Sequence, residues 1–292
     1  MSKKTQLRMI RVLLVMLLCI GYVAVEAFYL GKQRMTVNYQ TMSSKEIPEA
    51  FNEFSIAFFS DPHYLTYNNN AAMAMTIETI QQLQPDLIIF GGDLIDHPSH
   101  NRISEEERTV LVEQLKTLHA PYGKFAVYGN HDLESSITKE EIKSILEDAG
   151  FHILYNTNVK IQKDDESYLR LIGIDSMLLG DPDIPKAYQD VLLNDYAITV
   201  CHTPDIATKL NTNLTDLALS GHSHGHQIYI PFVSEHFLPP YAVTYHRGRY
   251  QIQNTTLFVT NGIGTTASSI RLFANREVML LRLFHEEEEP QQ

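Results

Sequence analysis

The amino-acid sequence predicts an α/β fold in which two packed sheets are flanked by helices. Short apolar runs of strand length alternate with helical patterns from residue 54 to about residue 200, which is the order that βαβ units produce. The later part of the chain has strand-like runs with no long helix between them, which favours a second sheet. Of the 292 residues, 44% are hydrophobic and 20% are charged, as in ordinary globular proteins. The length allows two domains and fits one large α/β domain equally well.

The first element is an apolar segment, Val12–Val25, which contains no charge and follows four basic residues, Lys3, Lys4, Arg8 and Arg11. Extended to Leu30, a helix here would be roughly 28 Å long, close to the hydrocarbon thickness of a bilayer, about 30 Å. We expect an uncleaved anchor. A signal peptide cleaved after Ala27 is the alternative, although the small-residue pattern there is poor. The basic residues before the segment predict a cytoplasmic N-terminus and a single-pass protein whose remaining chain is extracytoplasmic.

These features divide the chain into four parts. We expect a transmembrane signal anchor at residues 1–30, a polar stalk at 31–50, one folded domain at 51–285 and a solvated acidic tail at 286–292.

Within the domain, the pattern predicts six strands followed by a strand-rich region. The strands are Ser55–Phe59, Leu87–Phe90, Phe125–Tyr128, Leu169–Ile174, Ala197–Val200 and Leu217–Leu219. The helices between them are Ala71–Leu83, Ser104–His119, Thr138–Ala149 and a shorter one at Lys186–Leu193. Later strand-like segments are Gln227–Ile230, Leu257–Thr260 and Val278–Leu283.

Charge and cysteine content exclude several classes of protein. The 23 basic and 35 acidic residues give a net charge of −12, so we expect no stable nucleic-acid partner. The two cysteines, Cys19 and Cys201, cannot form a disulfide framework or a cysteine-rich zinc module. The 13 histidines are the unusual feature.

Polar side chains of metal-ligand type follow five of the predicted strands. They are Asp61 and His63, Asp93 and Asp96, Asn130 and His131, His202, and His222 with His224. Because ligands bind beyond the carboxyl ends of strands in α/β sheets, these groups are expected at one rim. Oxygen and imidazole donors suit Mn²⁺, Fe or Zn²⁺, and their number exceeds what one ion needs, so a two-metal site is expected.

In order along the chain, the motifs D-x-H, GD-x-x-D, GNHD, H and GHxH resemble those of the calcineurin-like metallophosphoesterase superfamily over about residues 54–284. Gly221–Gln227, Asn261–Gly264 and Ile270–Phe273 are similar to its membrane-associated bacterial branch, which usually has Gly where His226 stands. The serine/threonine phosphatases carry Arg-Gly where His97-Pro98 follow Asp96 here, which argues against a phosphoprotein substrate.

The resemblance implies a four-layer αββα sandwich of two mixed sheets, with residues 51–285 as the catalytic domain. It implies a dinuclear centre of two divalent ions, with Mn²⁺ preferred and Fe or Zn²⁺ as alternatives. His131 would face the phosphoryl group and be oriented by Asp96, and a hydroxide bridging the ions would attack phosphorus. The implied first-metal ligands are Asp61, His63 and His224; the second-metal ligands are Asn130, His202 and His222; and Asp93 bridges the two ions.

The leading hypothesis is therefore a membrane-anchored, metal-dependent phosphoesterase or phosphodiesterase. Its substrate would be a phosphorylated small molecule, or a lipid or envelope-linked phosphate near the bilayer. The alternatives are a non-catalytic metal-binding scaffold and a phosphodiesterase acting on nucleotides or nucleic acid. Arg247, Arg249 and Arg271 are further candidates for contacts with an anionic substrate, although ordinary surface charge is the preferred interpretation of each.

Overall fold

The computed structural model describes residues 2–67 and 69–287, in which twelve strands form two six-stranded sheets. The strands are β1 (Met35–Ser44), β2 (Ser55–Phe59), β3 (Leu87–Phe90), β4 (Lys124–Ala126), β5 (His152–Ile153), β6 (Thr157–Gln162), β7 (Tyr168–Ile174), β8 (Ala197–Cys201), β9 (Leu217–Ser220), β10 (Gly248–Ile252), β11 (Thr255–Val259) and β12 (Arg276–His285). The helices are α1 (Lys3–Val25), α2 (Gly31–Gln33), α3 (Asn69–Leu83), α4 (Glu105–Lys116), α5 (Ser136–Asp148) and α6 (Ile184–Ala187).

Both sheets are mixed. The first has the order β1-β12-β2-β3-β4-β5, and its pairs are parallel except for β12 with β2. The second has the order β10-β11-β9-β8-β7-β6, with parallel pairs in the centre and antiparallel pairs at both edges. The carboxyl ends of the central parallel strands of each sheet therefore share one edge of that sheet.

The alternation of side chains along β2 shows how the layers form. Ile56 and Phe58 belong to the core between the two sheets, whereas Ala57 and Phe59 pack in the core that contains residues of α3, α4 and α5. On its outer face the second sheet carries α6 and a short 3₁₀ helix, Pro204–Thr208. The order helix, sheet, sheet, helix confirms the predicted four-layer αββα sandwich, with a thin fourth layer.

The six predicted central strands correspond to β2, β3, β4, β7, β8 and β9. Four strands were not predicted: β1, β5, β6 and β10. Three of these, β1, β6 and β10, are half-exposed and polar along much of their length, because each lies at the edge of its sheet.

Two predicted elements are shorter than expected. The strand expected at Gln227–Ile230 is reduced to a single bridge between Ile228 and Leu272. The helix expected at Lys186–Leu193 ends at Ala187, the last residue of α6.

The prediction of a polar stalk at 31–50 is wrong for residues 35–44, because β1 occupies them and pairs with β12 over ten residues. Helix α1 continues through one π-helical turn, Glu26–Leu30, into α2, and β1 follows almost directly. The helical stretch Lys3–Gln33 is long and apolar enough to cross a membrane. Of the predicted acidic tail, residues 288–292 lie outside the described residues.

Candidate metal centre

Seven side chains predicted as metal ligands lie together beyond the carboxyl ends of strands from both sheets. Asp61 and His63 follow β2, Asp93 follows β3 and Asn130 follows β4. His202 follows β8, and His222 and His224 follow β9. All seven are at most 6% exposed, so the structure gathers a buried polar cluster at the ends of the strands.

Five of the seven residues have a left-handed backbone. Their φ angles lie between 45° and 68°, and they are Asp61, His63, Asp93, His222 and His224. The strands have already ended at these positions, so the two-residue spacing in D-x-H and GHxH does not place its members on one face of a strand. A positive φ is strained in non-glycine residues and is maintained only when the surroundings hold it. Here, Asp61 N donates to Gly92 O at 3.0 Å.

One group of donors consists of Asp61, His63 and His224. His224 Nε2 lies 3.0 Å from His63 Nε2 and 3.7 Å from Asp61 Oδ1. Two ligands that are each about 2.1 Å from one ion lie roughly 3–4 Å apart, so these separations suit a shared cation.

A second group consists of Asp93, His202 and His222. His202 Nε2 lies 3.1 Å from Asp93 Oδ2, and His63 Nε2 of the first group lies 3.6 Å from the same oxygen. Asp93 therefore stands between the two groups. Asn130 lines the same cavity as Asp93 and His222.

The donors fit two divalent ions. Asn130 Oδ1 and His224 Nδ1 are buried, and neither forms a hydrogen bond within the described part of the chain. A buried amide oxygen without a partner is costly unless something else satisfies it, and a cation would do so. Carboxylate, amide and imidazole donors without thiolates are the set that Mn²⁺, Fe and Zn²⁺ accept.

Three imidazoles are oriented through the ring nitrogen that does not face the cluster. His63 Nδ1 lies 2.9 Å from Asp96 Oδ1, and His202 Nδ1 lies 2.7 Å from Gly91 O. His222 Nε2 lies 2.8 Å from Pro240 O. Such partners fix the tautomer and aim the other nitrogen at the centre.

The predicted orientation of His131 by Asp96 is not seen as a direct hydrogen bond in the described residues, although ligand atoms of the two side chains lie within 4.8 Å of each other. Asp96 accepts from His63 and from Thr266 Oγ1, whereas His131 Nδ1 lies 2.9 Å from Glu134 Oε1. His97 Nδ1 lies 2.9 Å from the same Glu134 oxygen. Glu134 was not predicted as a site residue, although its spacing of three residues from His131 across a 3₁₀ turn was a usable signal.

Asp132 is a second missed residue, and it holds the backbone under the site. Its carboxylate accepts from Asp93 N at 2.8 Å, Gly129 N at 2.8 Å and Leu94 N at 2.9 Å. Burial and the charge of Asp93 raise the pKa of Asp132 to about 7. Asp132 thereby ties the loop after β3 to the loop after β4.

Electrostatics keep two of the imidazoles neutral. Burial and the charge of His202 lower the pKa of His222 to about 4. Burial, with the charge of His63, holds the pKa of His224 well below its usual range. Burial also opposes the charged form of His63, but Asp96 and Asp93 outweigh it and raise the pKa of His63 overall. Neutral imidazoles are the form that binds metal.

The cluster opens into a cavity of about 500 Å³. Its walls include the polar residues His131 and Gln227 and the apolar residues Leu178 and Phe237. The cavity is large enough for a small phosphorylated ligand or for part of a larger one.

Arg271 is not a substrate contact. Its side chain is fully buried, and the guanidinium donates to the carbonyl oxygens of Asn261, Gly262, Gly264 and Ala274. It supports the loop beneath Asp61, because a Cβ on Gly262 would lie 2.9 Å from Asp61 Cβ. Arg247 donates to Phe273 O and lines a separate cavity with Glu26 and Arg34. Within the described residues, neither Arg247 nor Arg249 lines the cavity of the metal centre.

Comparison with known proteins agrees with this chemistry. The family model described as calcineurin-like phosphoesterase matches residues 54–226. The chain is 33% identical over 257 residues to the uncharacterized metallophosphoesterase YkuE of Bacillus subtilis (strain 168), covering 88% of each chain. It is 28% identical to phosphodiesterase YaeI of Escherichia coli (strain K12), covering 79% of this chain and 82% of that one. It is 27% identical to a Bos taurus "transmembrane protein with metallophosphoesterase domain", covering 81% of this chain and 54% of that one.

Proposed function

Because the chain belongs to the calcineurin-like phosphoesterase family and is a metal-dependent phosphoester hydrolase, we propose that it acts from a membrane anchor with two divalent ions. The observation that carries the proposal is the pair of donor groups, Asp61-His63-His224 and Asp93-His202-His222, with Asp93 between them.

The two groups and Asn130 would hold the ions, with Asp93 shared. When bound, the ions would supply Lewis acidity toward phosphoryl oxygens and acidify water near neutral pH. We propose Mn²⁺ as the native metal, since oxygen and imidazole donors without thiolates accept it readily.

His131 is the side chain proposed to meet the substrate. It lines the cavity, its ring centroid is 5.0 Å from that of His63, and Glu134 accepts from its Nδ1. If protonated, its Nε2–H would donate to a phosphoryl oxygen or to the leaving oxygen. Asp96 would then act indirectly, because its carboxylate accepts a hydrogen bond from the metal-ligand candidate His63 and not from His131.

The proposed anchor is α1, with the catalytic domain on the extracytoplasmic side. Its support is the apolar stretch Lys3–Gln33, the basic residues before it, and a relative whose name calls it a transmembrane protein. An enzyme anchored this way meets phosphates carried by lipids or envelope precursors, which we propose as the substrate class.

Hydrolysis by the full chain in detergent with Mn²⁺ tests the proposal. A panel of phospholipids, sugar phosphates and nucleotides is assayed beside a chromogenic phosphodiester, and bound metal is measured by mass spectrometry. Asp93→Asn should abolish turnover and lower metal content, whereas the exposed Asp165→Asn should match the wild type. Full activity of Asp93→Asn contradicts the site. Two bound ions without turnover of any ester would instead indicate a metal-binding scaffold, and selective turnover of nucleotides would move the substrate class away from lipids.

A further inference from the structure

We propose that residues 228–243, here called the flap, form a membrane-binding surface that holds the opening of the metal-centre cavity against the lipid bilayer. This inference rests on the proposed anchor and adds a second, independent contact with the same membrane.

The flap is nearly free of charge and exposes large apolar side chains. Its 16 residues include one acidic residue, Glu235, and one histidine. Phe232 is 86% exposed, Phe237 78%, Val243 61% and Val233 50%. Exposed apolar patches beside a site mark an interaction surface, and aromatic side chains are favoured at the level of lipid headgroups.

Both ends of the flap are hydrogen-bonded to residues 271–273, a segment that is also hydrogen-bonded to the anchor helix. At its start, Tyr229 N donates to Leu272 O at 2.8 Å. Just past its end, Arg247 Nη2 donates to Phe273 O at 3.1 Å. The neighbouring Arg271 N donates to Ala27 O, in the last turns of the anchor helix, at 3.1 Å. The flap therefore emerges beside the point where the helix meets the domain.

The topology places the anchor and the metal centre at one edge of the first sheet. β1 begins at Met35 beside Arg276, the first residue of β12. Because β12 is antiparallel to β2, that edge is the one where β2 ends and Asp61 follows. The helix thus enters the domain on the side that carries the candidate ligands.

No flexible linker separates the helix from the domain. The helix is exposed on all sides through Val25, and the next residue, Glu26, is 1% exposed and paired with Arg34 at 2.9 Å. The uncharged stretch Val12–Val25 is about 21 Å long, so a hydrocarbon core of about 30 Å must also take in the turns that flank it, up to the start of the domain. The domain consequently begins where the bilayer ends, and the surface around residue 27 is held against it.

The flap also forms part of the site. Ile228, Phe237 and Pro239 line the cavity, and Pro240 O faces His222 Nε2 at 2.8 Å. The flap thus lines the cavity of the metal centre and also exposes Phe232 and Val233. A bilayer is favoured as the occupant over a soluble protein, because the anchor already brings it to this face.

The chain has no tryptophan, so a single introduced Trp reports its own surroundings. The full chain carrying Phe232→Trp or Phe237→Trp is reconstituted into vesicles of phosphatidylcholine and phosphatidylglycerol with brominated acyl chains. Val15→Trp, within α1, reports insertion of the anchor. Leu193→Trp is the matched control: it is 70% exposed and precedes β8, at the opposite end of that strand from His202.

The proposal expects the emission of the Phe232→Trp, Phe237→Trp and Val15→Trp variants to be lost in brominated vesicles and retained in unbrominated ones, with Leu193→Trp unaffected. If Val15→Trp is quenched while neither flap variant is, the flap proposal is overturned and the anchor stands. If Val15→Trp is not quenched, both are overturned. If Leu193→Trp is quenched as strongly as the flap variants, the assignment of this face to lipid is overturned. The same holds if the flap tryptophans are shielded from solvent only when a second copy of the chain or a soluble protein is bound. The readout needs no substrate, so it is independent of catalysis.

Discussion

Replacing Glu134 by Gln should slow catalysis without emptying the metal centre. Glu134 Oε1 lies 2.9 Å from both His131 Nδ1 and His97 Nδ1, and its other oxygen accepts from Ser99. The side chain is only 12% exposed, so water screens the His131 contact weakly. Glutamine keeps the size and one acceptor oxygen but removes the charge of the carboxylate that accepts from His131 Nδ1.

The size of the effect follows from the hydrogen bond that is weakened. A hydrogen bond to a charged group contributes about 1.5–3 kcal/mol. Since about 1.4 kcal/mol corresponds to a tenfold change in rate, kcat should fall about ten- to a hundredfold.

The assay compares kcat, KM and bound Mn²⁺ for the wild type, Glu134→Gln and Glu140→Gln. Glu140 is 72% exposed on α5 and serves as the control. We expect a lower kcat with an unchanged metal content for Glu134→Gln only. An unaltered kcat, or a loss of metal equal to the loss of rate, would show that Glu134 does not position His131.

Three further predictions concern the scaffold and its ions. Gly221→Ala should lower the free energy of unfolding by about 1–3 kcal/mol and reduce the metal content, because a Cβ there would lie 2.3 Å from Asp61 Oδ2. The control for thermal unfolding and metal analysis is Gly21→Ala, where a Cβ would have no atom within 4 Å. Lys124→Met should lose about 1–3 kcal/mol in urea unfolding, because Lys124 Nζ donates to Leu115 O and Ala149 O at the ends of α4 and α5. Burial lowers the pKa of Lys124 from 10.5 to about 8. Between these two pH values the unfolded chain therefore binds more protons than the folded chain, so the free energy of unfolding of the wild type should increase as the pH rises. Lys124→Met should lack this increase. Free Mn²⁺ at about 100 times its Kd should stabilise the chain by about 2.7 kcal/mol, and a chelator should reverse this in calorimetry; equal midpoints with and without metal would contradict binding to the native state.

The candidate centre was predictable because its residues occupy short motifs at strand ends. A continuously apolar strand such as β2, buried on both faces, is evident from its composition, and parallel order then brings Asp61 and Asp93 to one rim. The motifs supplied residue types, but the left-handed backbone at five of them depends on hydrogen bonds between loops that no local pattern contains.

Features that depend on side-chain direction or on long-range packing were not predictable. Asp96 accepts a hydrogen bond from His63 and not from His131, and this partner depends on side-chain rotamers. Arg271 resembles a surface charge in sequence, yet it is buried because a loop offers it four carbonyl oxygens. The sequence of β1 resembles a polar stalk because an edge strand needs few apolar residues.

Anomalous X-ray scattering at the manganese edge, from crystals of the Mn²⁺-loaded full chain, would test the dinuclear centre most directly. Two peaks of comparable height should appear, one among Asp61, His63 and His224 and the other among Asn130, His202 and His222, with the Asp93 carboxylate touching both. A single peak, or peaks away from these side chains at saturating metal, would contradict the proposed centre.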